Sequence, residues 1–215
     1  MKQSHYEARF AGVGGQGVIL AGKILAYGMV NYEECQALQT PTYTAQVRGG
    51  PTKVDVVIDK KHIEYPRTEN IDFFLSLHQK SFDLYFTDLK DDAIVVIDPN
   101  LTQHIPKNIP QQVFVVDLVE IAKKEMGKSL YAAVLAVGFF AGVTKLIKDK
   151  NIQKSVIDNA PKGTEVENLK AVRIGFALAK EALKRKEDLV RLTMKDIDKK
   201  NLYFPLEFLC WNLVL

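Results

Sequence analysis

A glycine-rich segment near the start of the chain has the spacing of loops that bind phosphate groups. Residues 12–17 are GVGGQG and fit the pattern G-x-G-x-x-G, with a strand-like apolar run before them and a helix-like run after them. In such loops the glycines permit a tight turn, and N–H groups at the start of the helix attract an anion. The candidate contact residues of this first glycine loop are Gly12, Gly14, Gly15, Gln16 and Gly17.

The residues that follow disfavour a dinucleotide at this loop. A dinucleotide site also needs an acidic residue about 20 residues further on, at the end of the second strand, to bind the ribose hydroxyls. The predicted second strand, Glu34–Leu38, is followed by Gln39, and the acids Glu33 and Glu34 lie at its beginning. A closely packed turn is therefore the plainest interpretation, and an anion site or a contact with another subunit stays open.

A second glycine motif follows the predicted second strand. Residues 40–50 are TPTYTAQVRGG, in which Arg48 precedes two glycines that permit close approach of the backbone. An arginine in such a loop can bind a carboxylate or a phosphate through two hydrogen bonds, and the alternative is a solvated loop arginine. We expect this loop at the same edge of the sheet as the first one. Its candidate residues are Tyr43, Arg48, Gly49 and Gly50.

His78 and Gln79 form a further candidate pocket. They follow the apolar run Phe73–Leu77, so they are expected at the carboxyl end of a strand, where ligand sites of α/β proteins cluster. A structural hydrogen bond is the favoured interpretation of His78, because one polar side chain does not make a site.

The sequence offers no candidate for catalysis or metal binding. His5, His62 and His104 are isolated, whereas a metal site needs converging ligands. Cys35 and Cys210 are the only cysteines and neither belongs to a C-x-x-C pair, which disfavours a disulfide framework, a zinc site or an iron–sulfur cluster on this chain. The acids form no obvious carboxylate pair, and the serines lack a nucleophile elbow.

Apolar runs and helical patterns alternate in the first half of the chain. The predicted strands are Tyr6–Val13, Glu34–Leu38, Val54–Ile58, Phe73–Leu77, Ile94–Ile97 and Val113–Val116. The predicted helices of this half are Val18–Val30 and Ser81–Tyr85. This order predicts an α/β fold with three layers, α/β/α, around a largely parallel or mixed sheet.

The second half of the chain is predicted to be mostly helical. The predicted helices are Asp117–Met126 ending at Gly127, Leu130–Ile147, Ile152–Asn159, and one opened by a capping box at Thr164–Glu167 that runs to about Lys186. The uncharged stretch Ser129–Thr144 is too short to cross a membrane and is expected to be buried. We predict a single domain, 1–186, and a C-terminal extension, 187–215, whose apolar end folds back or packs on a partner.

Composition excludes several classes of protein. The net charge is +3 and charged residues make up 26%, with basic and acidic residues interspersed, which disfavours binding to nucleic acid or to a membrane. Residues 1–10 include several charged side chains and lack the apolar region of a secretory signal. With two unpaired cysteines, the composition predicts a cytoplasmic protein.

Several motifs in order resemble the gamma subunit of 2-oxoacid:ferredoxin oxidoreductases. The opening GVGGQGV with ILAGKIL, at residues 12–25, is similar to the start of that family. Thr42-Tyr43 and Arg48-Gly49-Gly50 match a segment of the family like SYGPEARGG, and residues 73–79 and 166–171 have counterparts in it too. The resemblance covers roughly residues 5–185. GVGGQG is more like the 2-oxoglutarate or branched-chain members than the pyruvate members, which often begin GRGGQG.

The chain also departs from this family at three places. Thr44-Ala45-Gln46 stands where the family has Gly-Pro-Glu, so the second loop lacks a proline and a carboxylate. Ala133 replaces an asparagine of many members, and His78 stands where asparagine or serine is commoner.

The resemblance implies a function that this chain performs only within a complex. The family converts a 2-oxoacid and coenzyme A to acyl-CoA and carbon dioxide. The cofactors, thiamine diphosphate with Mg²⁺ and iron–sulfur clusters, are implied on other subunits, and this chain is expected to bind none of them. The implied partners are alpha and beta subunits, with or without a delta subunit, and ferredoxin through the complex. The isolated chain is expected to be inactive.

Two other functions stay open from the residues alone. One is a stand-alone α/β module that binds a nucleotide or phosphate at residues 12–17. The other is an NAD(P)- or flavin-dependent oxidoreductase, which the missing acid after the second strand disfavours.

Overall fold

The computed structural model describes the backbone of residues 4–44 and 48–199, and the side chains of the same residues up to 185. The strands are β1 His5–Val13, β2 Gln36–Thr42, β3 Pro51–Asp59, β4 Ile71–Ser76, β5 Leu89–Ile97 and β6 Gln112–Val115. The helices are α1 Val18–Tyr32, α2 Gln79–Tyr85, α3 Leu118–Met126, α4 Ala132–Thr144, α5 Asp149–Asn159 and α6 Glu165–Lys199, with a 3₁₀ turn at Ser129–Tyr131.

The six strands form one mixed sheet in the order β2-β3-β1-β4-β5-β6. β1, β4, β5 and β6 are parallel, whereas β3 is antiparallel to both β1 and β2. The α/β class and the mixed sheet are thus confirmed. β2 begins later than predicted, because Glu34 adopts a left-handed φ of 55° at the turn after α1. The strand also runs beyond its predicted end, to Thr42.

The sheet separates two layers of unequal size. Its helix-rich face packs against α1, α3, α4, α5 and α6 through a large core that includes Phe10, Phe73 and Phe140. Alternate strand residues point to the other side, the α2 face, where Phe74, Val95 and Ile97 pack against Phe82 of α2. The predicted three layers are present, and within the described part of the chain the third consists of the short helix α2 with its neighbouring loops.

The uncharged helix α4 is buried within this chain. Eleven of its residues are buried, and α6 lies directly against it. The two helices cross at glycines: a Cβ on Gly138 would lie 2.1 Å from the carbonyl oxygen of Val172, and one on Gly175 would lie 2.1 Å from that of Leu135. The expected burial of this stretch is thus confirmed, because α6 covers it.

Helices α3 and α6 show two different outcomes for predicted caps. Asp117 accepts a hydrogen bond from the N–H of Glu120, and Gly127 ends α3 with a left-handed φ of 75°, as expected. The prediction of a capping box at Thr164 was wrong. The Thr164 hydroxyl donates to the carbonyl oxygen of Pro161 at 2.7 Å and accepts from the side-chain amide of Asn168 at 2.9 Å.

The backbone of α6 continues to Lys199, beyond the predicted end at Lys186. The division at residue 186 and the role of the extension stay predictions, and the apolar residues 202–215 with Cys210 lie outside the described part of the chain. No helix among the described residues is long and apolar enough to cross a membrane.

His5 joins the beginning of β1 to the end of β3. Its ring nitrogens lie 3.0 Å from Oε1 of Glu7 and 3.1 Å from Oδ2 of Asp59. Burial works to lower the pKa of His5, but the hydrogen bonds and charges of the two carboxylates outweigh it and raise the pKa above 6.5. The stabilising contribution of His5 is therefore complete below the ordinary pKa and is lost as the pH rises through the raised one.

We expect the free energy of unfolding of the wild type to fall relative to His5→Gln as the pH rises from about 6 to 8. Urea denaturation of both proteins across this range measures the difference. A difference that stays constant with pH would show that His5 has the same pKa in the folded and unfolded chain.

Candidate functional site

The two glycine loops are hydrogen-bonded to each other at the carboxyl end of β1. The N–H of Gly14 donates to the carbonyl oxygen of Gly50 at 3.0 Å, and the N–H of Gly49 donates to that of Gly14 at 3.4 Å. The meeting point is fixed by the sheet, because Val13 at the end of β1 pairs with Pro51 at the start of β3. The structure thus confirms that the two loops share one edge.

The side chain of Gln16 joins the first loop to the next strand. Its Oε1 accepts from the N–H of Val13 at 2.7 Å, and its Nε2 donates to the carbonyl oxygen of Leu77, just beyond β4, at 3.0 Å. A Cβ on Gly12 would lie 2.6 Å from this Oε1. Gly12 is therefore needed here to leave room for a side-chain amide.

This arrangement leaves little of a dinucleotide-binding fold. The crevice between the carboxyl ends of β1 and β4 is where such folds place the pyrophosphate, and the amide of Gln16 bridges it. β3 also separates β2 from β1, so the end of β2 is one strand further from the loop than a ribose requires. Both observations disfavour a stand-alone nicotinamide or flavin enzyme.

The outer side of the joined loops is open. Gly15 and Gly49 have left-handed φ values of 103° and 73°, and a Cβ on either would meet no atom within 4 Å. Gly17 precedes the 15-residue helix α1, whose start has no side-chain cap. Tyr43, which follows β2, is 67% exposed, and Arg48, which precedes the glycines of the second loop, is exposed too.

His78 and Gln79 lie at this edge and have structural partners. Nδ1 of His78 accepts from the N–H of Lys80 at 3.1 Å and so caps α2. Oε1 of Gln79 accepts from the N–H groups of Gln103 and His104, and its Nε2 donates to the carbonyl oxygen of His104. Gln79 therefore fixes the loop after β5.

Two buried side chains that sequence reasoning left unassigned support this edge. The Ser81 hydroxyl donates to the carbonyl oxygen of Gly12, which ties α2 to the first loop. Asp98, fully buried, accepts from the N–H groups of Asn100 and Val119. Burial raises the pKa of Asp98 despite these hydrogen bonds. The position of Asp98 after a strand was noticeable in the sequence, whereas nothing in the sequence distinguishes Ser81 from a surface serine.

Within residues 4–44 and 48–185, no group of three or more His, Cys, Asp or Glu side chains could hold a metal ion. The site is built instead of main-chain N–H groups and one arginine side chain, which can bind an anion or another protein chain, while the amides of Gln16 and Gln79 hold the loops in place.

The fold and the site together define an α/β domain with a mixed six-stranded sheet and two joined glycine loops. The profile of one family, pyruvate ferredoxin/flavodoxin oxidoreductase, matches residues 7–178, and the chain belongs to this family.

Proteins similar to this chain include subunits of 2-oxoglutarate synthase and of pyruvate synthase. The 2-oxoglutarate synthase subunit KorC of Methanocaldococcus jannaschii is 33% identical over 177 residues, which are 81% of this chain and 94% of the relative. The KorC subunit of Archaeoglobus fulgidus is 30% identical, over 83% of this chain and 90% of the relative. The pyruvate synthase subunit PorC of Methanothermobacter thermautotrophicus is 28% identical, over 79% and 93%.

Two solved structures share the fold. The gamma subunit of a keto/oxoacid ferredoxin oxidoreductase from Geobacter sulfurreducens has a TM-score of 0.75 at 31% identity, with 83% of this chain and 98% of that chain covered. The 2-oxoglutarate:ferredoxin oxidoreductase from Magnetococcus marinus has a TM-score of 0.73 over 83% of this chain and 32% of its own. At 20% identity, the second match shows the fold alone.

Proposed function

We propose that this chain is the non-catalytic gamma subunit of a 2-oxoacid:ferredoxin oxidoreductase, a complex that oxidatively decarboxylates a 2-oxoacid to acyl-CoA. The observation that carries the proposal is the match to a whole gamma subunit, 98% of which is covered at 31% identity. Identity to a KorC subunit, 33%, exceeds that to a PorC subunit, 28%, which favours 2-oxoglutarate over pyruvate, with a branched-chain 2-oxoacid as the alternative.

The proposal assigns the redox chemistry to partner subunits. The alpha and beta subunits, with or without a delta subunit, hold thiamine diphosphate, Mg²⁺ and iron–sulfur clusters and pass electrons to ferredoxin, and the complex works in the cytoplasm. The isolated gamma chain is inactive. Its joined loops lie against a partner and help to order the site of coenzyme A or of the 2-oxoacid.

Arg48 is the residue of this chain that we propose contacts an anionic group. It is exposed, it lies beside two glycines, and its loop is hydrogen-bonded to the loop that precedes α1, a helix without a side-chain cap. Coenzyme A offers phosphates and the 2-oxoacid offers a carboxylate, and a guanidinium can bind either group with two hydrogen bonds.

We expect Arg48→Ala to raise the KM of the complex for coenzyme A or for the 2-oxoacid by about tenfold or more, because a hydrogen bond to a charged group contributes about 1.5–3 kcal/mol. Steady-state dye reduction with each substrate varied in turn measures both KM values and shows which anion is bound. Arg67→Ala, at an exposed arginine in the loop before β4, is the matched control. Unchanged KM values with intact assembly would contradict the role of Arg48.

The subunit assignment is tested by gentle anaerobic purification of the tagged chain from its native cells. We expect partner subunits, bound thiamine diphosphate, a brown colour, and dye reduction that needs both 2-oxoacid and coenzyme A. A colourless monomer that binds nucleotide would support the stand-alone module instead, and a yellow protein would support a flavin enzyme.

A further inference from the structure

Two hydrogen bonds join the glycines that follow Arg48 to the first glycine loop. The N–H of Gly14 donates to the carbonyl oxygen of Gly50, and the N–H of Gly49 donates to the carbonyl oxygen of Gly14. These bonds couple the position of Arg48 to the position of Gly14.

Gly14 is in turn positioned by Gln16. The first glycine loop closes on itself through the N–H of Gln16, which donates to the carbonyl oxygen of Val13 at 3.0 Å. The side chain of Gln16 adds the return hydrogen bond from the N–H of Val13 and the bond to the carbonyl oxygen of Leu77. These three hydrogen bonds fix the loop to both β1 and the segment after β4.

We propose that Gln16 is a positioning residue for Arg48 in the reaction of the complex, acting through Gly14 and the main chain of the second loop. This inference rests on the proposed function. The Gln16 amide is engaged by the backbone at Val13 and Leu77, and it thereby holds the first loop where Gly14 hydrogen-bonds the glycines of the second loop. Gln16 thus sets the position of Arg48 relative to the end of β4.

The test is a double-mutant cycle in the purified complex, with Gln16→Met combined with Arg48→Ala. Methionine has a similar length and cannot form either side-chain hydrogen bond. We expect Gln16→Met to raise the same KM that Arg48→Ala raises, by about threefold to fivefold, with kcat changed less than twofold. In the Arg48→Ala background Gln16→Met is expected to have no further effect on this KM, because coupled residues are not additive.

A purely structural role of Gln16 would give a different pattern. An equal rise of KM in both backgrounds, or no rise where Arg48→Ala raises it, overturns the positioning role and leaves the proposed function intact. No effect of Arg48→Ala itself would instead count against the role of Arg48, and with it this inference. Gln16→Glu is the second variant, should Gln16→Met fail to assemble: it keeps the acceptor for Val13 but places a carboxylate against the Leu77 carbonyl. It is expected to raise the same KM only when Arg48 is present.

Discussion

Gly175→Ala is expected to lower the free energy of unfolding by about 3 kcal/mol, although alanine is the better helix former by about 1 kcal/mol. A Cβ on Gly175 would lie 2.1 Å from the carbonyl oxygen of Leu135 and 2.8 Å from the backbone nitrogen of Phe139. Both atoms belong to the backbone of α4, so no side chain can rotate away. The added methyl group forces the two helices apart and opens gaps along their whole contact.

Ala177→Gly is the matched control, because Ala177 is exposed two residues further along the same helix. This substitution is expected to cost about 1 kcal/mol, the ordinary difference in helix propensity. Urea denaturation of the isolated chain measures the free energy of unfolding of both variants. In thermal denaturation, we expect the melting temperature of Gly175→Ala to fall by roughly 10 °C for a chain of this size. A stabilised Gly175→Ala protein would show that α4 and α6 do not approach as closely as described.

Arg9→Met is expected to destabilise the chain by about 3–5 kcal/mol, because it leaves a buried carboxylate without its main partner. Arg9 and Asp55 are 2% and 5% exposed on the α2 face of the sheet. Arg9 donates from Nε and Nη2 to the two oxygens of Asp55, at 2.7 and 3.1 Å, and from Nη1 to the carbonyl oxygens of Tyr85 and Thr87. Methionine satisfies none of these acceptors.

The same ion pair gives Arg9→Met a pH signature. Burial alone would raise the pKa of Asp55, but hydrogen bonds and charges from Arg9 and Lys53 hold it below its ordinary value. The stabilising contribution of Asp55 is therefore present above the ordinary pKa of about 4 and is lost as the pH falls through the lowered pKa of the folded state. The difference between wild type and Arg9→Met is expected to shrink as the pH falls below about 4.

Lys53→Met provides the comparison for this pair. Nζ of Lys53 lies 2.6 Å from Oδ2 of Asp55, but its side chain is 16% exposed and its loss leaves both bonds of Arg9 in place. We expect a cost of about 1–2 kcal/mol for Lys53→Met, measured by the same denaturation series. An equal cost for the two variants would contradict the leading role of Arg9.

Local patterns in the chain are enough to predict several elements and the edge at which the loops meet. The span of α3 follows from Asp117 and Gly127, because both caps act through neighbouring backbone groups. The burial of α4 follows from an uncharged run too short for a membrane. The meeting of the glycine loop with the Arg48 loop follows from strand direction, which the chain order already implies.

The tertiary structure alone decided which distant groups complete these elements. The insertion of β3 between β2 and β1 depends on antiparallel pairing, and residues 51–59 suit either direction equally well. The turn before α6 brings Pro161 and Asn168 within hydrogen-bonding distance of the Thr164 hydroxyl. This hydroxyl therefore does not accept from the backbone of the first helical turn, as a capping box requires. Gln16, Gly175 and Arg9 contact atoms that are 61, 40 and 46 residues away in the chain, so their roles depend on distances that no local spacing encodes.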